Sequence, residues 1–139
     1  MSTVSLSADY EPSLKEAFMS AKMKAYFWNR LMVWRTEIIK ESGQTLEHLQ
    51  TESLQEPDVA DRASLETDRA LELRTRDRER KLLSKIDEAL ERLDGGTFGY
   101  CEETGEPISL KRLVARPIAT LSLEAQERHE RDEKTHRDD

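Results

Sequence analysis

Two long stretches of helical periodicity, separated by one short break, constrain this chain most. The first spans about residues 20–55, and its clearest apolar positions are Phe27, Leu31, Trp34 and Ile38. The second spans about residues 61–93, and its clearest apolar positions are Leu83, Ile86, Leu90 and Leu93. Each spacing places its apolar side chains on one face of an α-helix. Pro57 separates the stretches, because proline disfavours helical backbone at the residue before it. We therefore predict an antiparallel coiled-coil hairpin.

The charge content indicates that the hairpin exposes most of its surface. Charged residues make up 37% of the 139-residue chain and hydrophobic residues 36%. The apolar stripe thins toward the turn, which favours a monomer over a continuous coiled-coil dimer. The net charge of -7 argues against free DNA or RNA as the main partner, since neutralising phosphates needs a basic surface.

The chain divides into four predicted regions, and we expect a mainly α fold. Residues 1–19 form an N-terminal segment packed near the hairpin base, where Leu14 and Phe18 suggest a short helix. Residues 20–94 form the hairpin, with its tip near 56–64. Residues 95–121 form a small globular region of short strands or turns around apolar residues, among them Tyr100. Residues 122–139 form a C-terminal helix with a frayed acidic end. Ser20 and Ser122 are the expected N-caps of the first and last helices.

The sequence lacks the features of a secreted, membrane-spanning or catalytic protein. The N-terminus has neither the basic start nor the apolar core of a signal peptide, and no apolar run is long enough to cross a bilayer. Cys101 is the single cysteine, which excludes an intrachain disulfide. We find no catalytic triad, phosphate-binding loop or dinucleotide fingerprint. We therefore expect a cytoplasmic protein that is not an enzyme.

Two aspartates, Asp58 and Asp61, stand at the predicted tip. Either carboxylate is a suitable cap for the second helix. A cap needs only one, so the pair is also suited to contacting a metal ion, a basic loop or a polar backbone in a partner. Both interpretations stay open at this point.

The second helix is locally basic. From Arg69 to Lys85 it carries seven basic and three acidic side chains. Such runs are usually solvated faces with intrahelical ion pairs. The alternative is a surface for an acidic groove or a polyphosphate, to which arginine is especially suited.

Four motifs resemble the DksA/TraR family of bacterial transcription factors. They are Asp58-x-x-Asp61-x-Ala63-Ser64, the stretch 71–82, Phe98-Gly-Tyr-Cys-Glu102 and Arg112-Leu-x-Ala-Arg-Pro117. The motifs occur in the family order, and the resemblance as a whole runs from about Met19 to Glu127.

The resemblance implies a regulator of RNA polymerase. Such proteins pass their coiled coil into the secondary channel, and the tip destabilises open promoter complexes. They inhibit ribosomal RNA promoters and activate others in the stringent response, together with ppGpp and without binding specific DNA. Matching the family's functional positions to this sequence assigns Asp58, Asp61 and Ala63 to the tip. It assigns Arg78 to a polymerase contact, and Lys85 and Arg116 to the ppGpp site. A third basic position of the ppGpp site is the neutral Gln126.

The family's zinc finger is degenerate here. Its four cysteine positions read Cys101, Thr104, Ser122 and Ala125. A structural zinc site needs four ligands and prefers cysteine thiolates. We therefore expect no zinc, with the region held together by its apolar side chains. A makeshift site that joins Cys101 to His129 would still lack two ligands.

Two other functions compete with this interpretation. A Gre-type transcript cleavage factor uses a similar hairpin with an acidic tip, but the motifs of residues 98–117 match the DksA/TraR family. A structural coiled-coil dimeriser would keep apolar positions along the whole hairpin, whereas here they thin toward the tip.

Overall fold

The computed structural model describes the backbone of residues 6–52 and 59–138, and side chains there except those of 44–52, 59–61 and 136–138. Its four helices are α1 Ala21–Glu52, α2 Val59–Gly95, α3 Leu110–Ala115 and α4 Leu123–Asp138. Within these ranges the only β-structure is an isolated bridge between Tyr100 and Pro107. The mainly α fold class is confirmed.

Local hydrogen bonds at the helix ends agree with the sequence. Ser20 Oγ accepts from the backbone N–H of Met23 at 3.2 Å, and Ser122 Oγ accepts from that of Ala125 at 3.2 Å. Each serine therefore satisfies one of the free donors in a first turn. Helix α2 ends at Gly95, and Gly96 follows it with a φ of 83°. Both N-caps are as predicted, and α2 ends one residue beyond the predicted bound of the hairpin at 94.

The chain forms two compact units, Met1–Leu31 with Glu88–Asp139, and Met32–Asp87. In the first unit the rings of Phe27 and Phe98 lie 5.2 Å apart between centroids. The fully buried side chains around them belong to α1, α2 and α3 and the intervening turns, and include Met23, Leu31, Leu93, Ile108 and Leu113. The predicted apolar stripe of the first helix therefore packs into a core.

The second unit is a helix pair with a fixed antiparallel register. Arg35 Nε on α1 lies 2.8 Å from Asp87 Oδ1 on α2, and Ser42 Oγ donates to Glu79 Oε2. Moving seven residues forward along α1 thus corresponds to moving eight residues back along α2. Ile38 is buried in this unit, as the stripe predicts. The hairpin prediction agrees with this pairing.

Residues 95–121 differ from the sequence prediction in two respects. They contain α3, and its N-cap is Ser109, whose Oγ accepts from the backbone N–H of Arg112 at 3.2 Å. Helix α3 has six residues and buries only Leu110 and Leu113, too few apolar positions to reveal a helical period. Tyr100 was expected in the core, but it is 38% exposed, with its ring edge against Phe18.

The N-terminal segment folds as turns, so the expected short helix at Leu14 and Phe18 is wrong. The carboxylate of Glu16 accepts from the hydroxyls of Tyr10 and Ser20, both at 2.6 Å. Its other oxygen accepts from the backbone N–H of Ser13 at 3.3 Å. The Glu16 carboxylate therefore binds donors from residues 10, 13 and 20. Local side-chain hydrogen bonds of this kind compete with the backbone hydrogen bonds of a helix.

Gly99 is one point at which the N-terminal segment contacts the rest of the first unit. It has a φ of 89°, a conformation that side chains with a Cβ rarely adopt. A Cβ on Gly99 would lie 3.0 Å from Met19 Cε and 3.1 Å from Phe18 Cζ. Glycine is therefore required both by the backbone and by the close approach of Phe18 and Met19.

Candidate functional site

The predicted tip lies mostly outside the described residues. Asp58 falls in the undescribed gap, and the side chain of Asp61 is not described. Asp61 is the third residue of α2, in the first turn, where a carboxylate is favoured by the helix dipole. Ala63 is exposed on the same helix. The functional role of these three residues stays a prediction.

Four cations form a basic flank on α2, namely Arg74, Arg78, Lys81 and Lys85. Their spacing of four, three and four residues places them on one helical face, and all four are exposed. They extend over about 16 Å of helix axis at about 1.5 Å per residue. The flank includes two residues with predicted roles, Arg78 and Lys85.

The described ion pairs of α2 do not use the cations of the basic flank. Arg80 pairs with Asp77 on the same helix, and Asp87 pairs with Arg35 of α1. The carboxylate of Glu79, which is 9% exposed, accepts from Ser42. Within the described part of the chain, no member of the basic flank forms an ion pair with another residue. Intrahelical pairing therefore accounts for the charge of Arg80 but not for the charges of the basic flank. The flank is available to an external anion.

Sequence reasoning noted the local excess of positive charge but not its segregation. The signal was present, because the four–three–four spacing is the period of one helical face. The structure adds the register of the hairpin, which the sequence alone does not give. Ser42 bonds to Glu79 and Arg35 pairs with Asp87, so these two carboxylates of α2 have partners on α1.

The predicted ppGpp-binding residues belong to different units. Lys85 is an exposed member of the second unit, and Arg116 is the exposed C-cap of α3 in the first. Gln126, at the neutral third position, donates from its amide to Glu130 Oε1 at 3.3 Å. Their joint action on one ligand stays a prediction.

Two of the degenerate zinc positions, Thr104 and Ser122, donate hydrogen bonds to the Cys101 sulfur. Burial raises the pKa of the Cys101 thiol, but donated hydrogen bonds outweigh it and bring the pKa to about 6. The donors are the backbone N–H of Ser122, the Thr104 hydroxyl, and the backbone N–H groups of Thr104 and Glu103. Ala125 is fully buried. Polar donors and a methyl group thus stand where the family has thiolates.

These residues do not fit a structural zinc ion. Ser122 Oγ is engaged in capping α4, and His129 contacts the carboxylate of Glu103. In the described ranges no three His, Cys, Asp or Glu side chains cluster as metal ligands would. A closed zinc site requires four ligands, and Cys101 supplies one. The donors around its sulfur suit a thiolate held by hydrogen bonds.

None of the described helices combines the length and apolar character needed to cross a membrane.

Comparison with known proteins gives two matching family models. Residues 23–93 match the DnaK suppressor protein DksA N-terminal domain, and residues 96–131 match the prokaryotic dksA/traR C4-type zinc finger. The second match covers the segment in which three of the four cysteine positions are substituted.

Curated relatives and solved structures agree with these matches. The chain is 62% identical over 132 residues to the RNA polymerase-binding transcription factor DksA of Caulobacter vibrioides, covering 95% of this chain and 93% of that one. It is 41% identical over 115 residues to the protein of the same name from Escherichia coli K12, covering 83% and 76%. The structure of transcription factor DksA2 from Pseudomonas aeruginosa is similar, with a TM-score of 0.78 and 45% identity over 85% of this chain and 91% of that one.

Proposed function

The chain belongs to the DksA family, and from this premise we propose that it binds RNA polymerase and regulates transcription initiation with ppGpp. In this proposal the hairpin enters the secondary channel and changes the stability of open promoter complexes. Ribosomal RNA promoters are inhibited and other promoters are activated. The protein acts in the cytoplasm as a monomer, without catalysis and without sequence-specific DNA contacts.

The basic flank is the observation that carries this proposal. Arg74, Arg78, Lys81 and Lys85 share one exposed face of α2, in a chain whose net charge is -7. A strip of exposed cations steers and orients a protein toward an acidic surface. Free nucleic acid is disfavoured by the acidity of the whole chain, so an acidic groove on a protein partner fits better.

The acidic tip supplies the regulatory action in this account. Asp58, Asp61 and Ala63 are assigned to the approach of the hairpin to the polymerase active centre. Arg78 holds the hairpin by contacting the polymerase. In this proposal the tip acts by charge and position and does not catalyse hydrolysis.

Lys85 and Arg116 are assigned to ppGpp. Charge-assisted hydrogen bonds from two such cations suit the phosphates of the nucleotide, and the polymerase supplies the other contacts. The neutral Gln126 contributes no positive charge, so the response depends on these two residues.

The fold is proposed to form without zinc. Thr104 and Ser122 donate hydrogen bonds to Cys101, and the apolar side chains around Phe27 and Phe98 supply the core. Each large buried side chain contributes roughly 1.5–3 kcal/mol when it is fully removed from water.

Charge reversal on α2 tests the polymerase contact. Arg78→Glu and Lys81→Glu should each weaken affinity for core RNA polymerase by about tenfold at low salt, with a smaller effect at high salt. Arg80→Glu is the matched control, because Arg80 is paired with Asp77 within the helix. Equal losses for all three variants would show that the flank has no special role.

A transcript-cleavage assay on backtracked complexes separates this function from that of a Gre-type factor. The proposal predicts no cleavage above the rate of polymerase alone. Stimulated cleavage that depends on Asp58 or Asp61 would favour the Gre-type alternative.

A further inference from the structure

An apolar groove lies between the N-terminal segment and α3, within the first unit. Its volume is about 440 Å³. Pro12 and Leu14 line one side, and Leu110 and Val114 line the other. Lys111 is the charged residue of the lining. A concave apolar surface with one convergent cation is the usual form of a site for a side chain or a small segment of a partner.

Leu14 is the most exposed large apolar side chain in the described part of the chain, at 88%. Single exposed leucines are ordinary, but this one is continuous with the groove. Its backbone is also well held, because Glu16 ties Tyr10 and Ser20 together and Phe18 packs on Tyr100 with 5.5 Å between ring centroids. The apolar edge is therefore presented at a defined position.

Lys111 is the one charged side chain among the residues that line the groove. Beyond the lining, Lys15, Arg112 and Arg116 are basic, while Glu11 and Glu16 border residues 12–15. Lys15, Lys111 and Arg116 are exposed, whereas Arg112 donates from Nε to the carbonyl of Leu121 at 2.9 Å. The cation in the lining favours an occupant that places a carboxylate beside an apolar anchor.

We propose that the groove binds a short segment of RNA polymerase in which one large apolar side chain is flanked by carboxylates. The anchor fills the space between Leu14 and Val114, and a carboxylate pairs with Lys111. The contact adds affinity at a surface separate in sequence from the hairpin tip. This inference rests on the proposed binding to RNA polymerase.

Two surface substitutions test the groove by measuring affinity for core RNA polymerase. Leu14→Ser should weaken binding about fivefold to tenfold, as expected for loss of one apolar contact. Lys111→Glu should weaken it by about threefold or more at low salt and less at high salt. Both side chains are exposed, so circular dichroism should show unchanged helicity.

Matched controls stand on α4. Leu123→Ser removes a 58% exposed leucine outside the groove, and Lys134→Glu reverses an exposed lysine. Each control should bind within about twofold of the wild type. If Leu14→Ser binds as well as Leu123→Ser while the wild type binds polymerase, the groove proposal is wrong and the proposed function stands. Failure of the wild type to bind polymerase would contradict both the groove proposal and the proposed function.

A photoreactive residue placed at position 14 identifies the occupant. We expect a crosslink to a polymerase peptide with an apolar residue beside acidic ones, and none from the same residue placed at position 123. A crosslink to a second copy of this chain, a crosslink to a basic peptide, or no crosslink at all in a complex that forms would each overturn the proposal.

Discussion

Ser42 on α1 donates a hydrogen bond to the nearly buried carboxylate of Glu79 on α2, linking the helices in the middle of the hairpin. Ser42→Ala should lower the free energy of unfolding by about 1–2 kcal/mol, because the carboxylate loses its donor. Replacing both partners, Ser42→Ala with Glu79→Leu, should recover most of that loss. Urea unfolding measures both values, with Thr36→Ala, whose hydroxyl bonds to the exposed backbone of Met32, as the control. A double variant less stable than Ser42→Ala would contradict this explanation.

Gly99→Ala should destabilise the first unit by about 1–3 kcal/mol. The new Cβ would meet Met19 and Phe18 at 3.0 and 3.1 Å, on a backbone with positive φ. Gly105→Ala is the matched control, since Gly105 has a φ of 73° but a Cβ added there would meet no atom within 4 Å. The difference between the two variants in thermal unfolding isolates the steric contribution, and equal losses would show that the close approach costs nothing.

Metal chelators should leave folding and activity unchanged, because the residues around Cys101 do not form a zinc site. Cys101→Ser should keep activity. One zinc ion per chain by elemental analysis, or unfolding on chelation, would contradict this prediction.

Cys101 also gives a stability prediction that depends on pH. Its pKa is lowered from 9.0 to about 6 in the folded protein, so the ionised thiol favours folding. This contribution is fully present above pH 9 and is lost as the pH falls to 6. The wild type should therefore gain stability relative to Cys101→Ser between pH 6 and pH 9 in denaturant titrations. A constant difference across that range would mean that the thiol is not preferentially ionised.

The sequence predicted the parts of this fold that depend on local pattern. The periodic apolar positions around Phe27 and Ile38 revealed the hairpin helices, and the caps at Ser20 and Ser122 followed from residue type and position. The exposure of Tyr100 and the turns around Leu14 depend on how Phe18 and its neighbours pack, which no local pattern encodes. For the candidate site, the basic residues of α2 were identifiable, but the carboxylates paired within the hairpin became clear only from the structure.

Alanine at both Lys85 and Arg116 should remove the response to ppGpp and preserve basal regulation. Two cations are lost from the proposed site, while the tip and Arg78 are unchanged. Transcription from a responsive promoter, measured over a ppGpp titration, checks this. The matched control is alanine at Lys22 and Lys134, two exposed lysines outside the proposed site. The same ppGpp response in wild type and in the Lys85 and Arg116 variant would refute the assignment.

The most direct test of the account is run-off transcription from a ribosomal RNA promoter with Asp61→Asn, alongside its affinity for polymerase. Asparagine keeps the size of the side chain and removes its charge. The account predicts that the wild type inhibits this promoter and that Asp61→Asn binds with nearly wild-type affinity but does not inhibit it. Inhibition that persists in the variant, or loss of binding and helicity together, would contradict the central claim that the tip carboxylate regulates the polymerase.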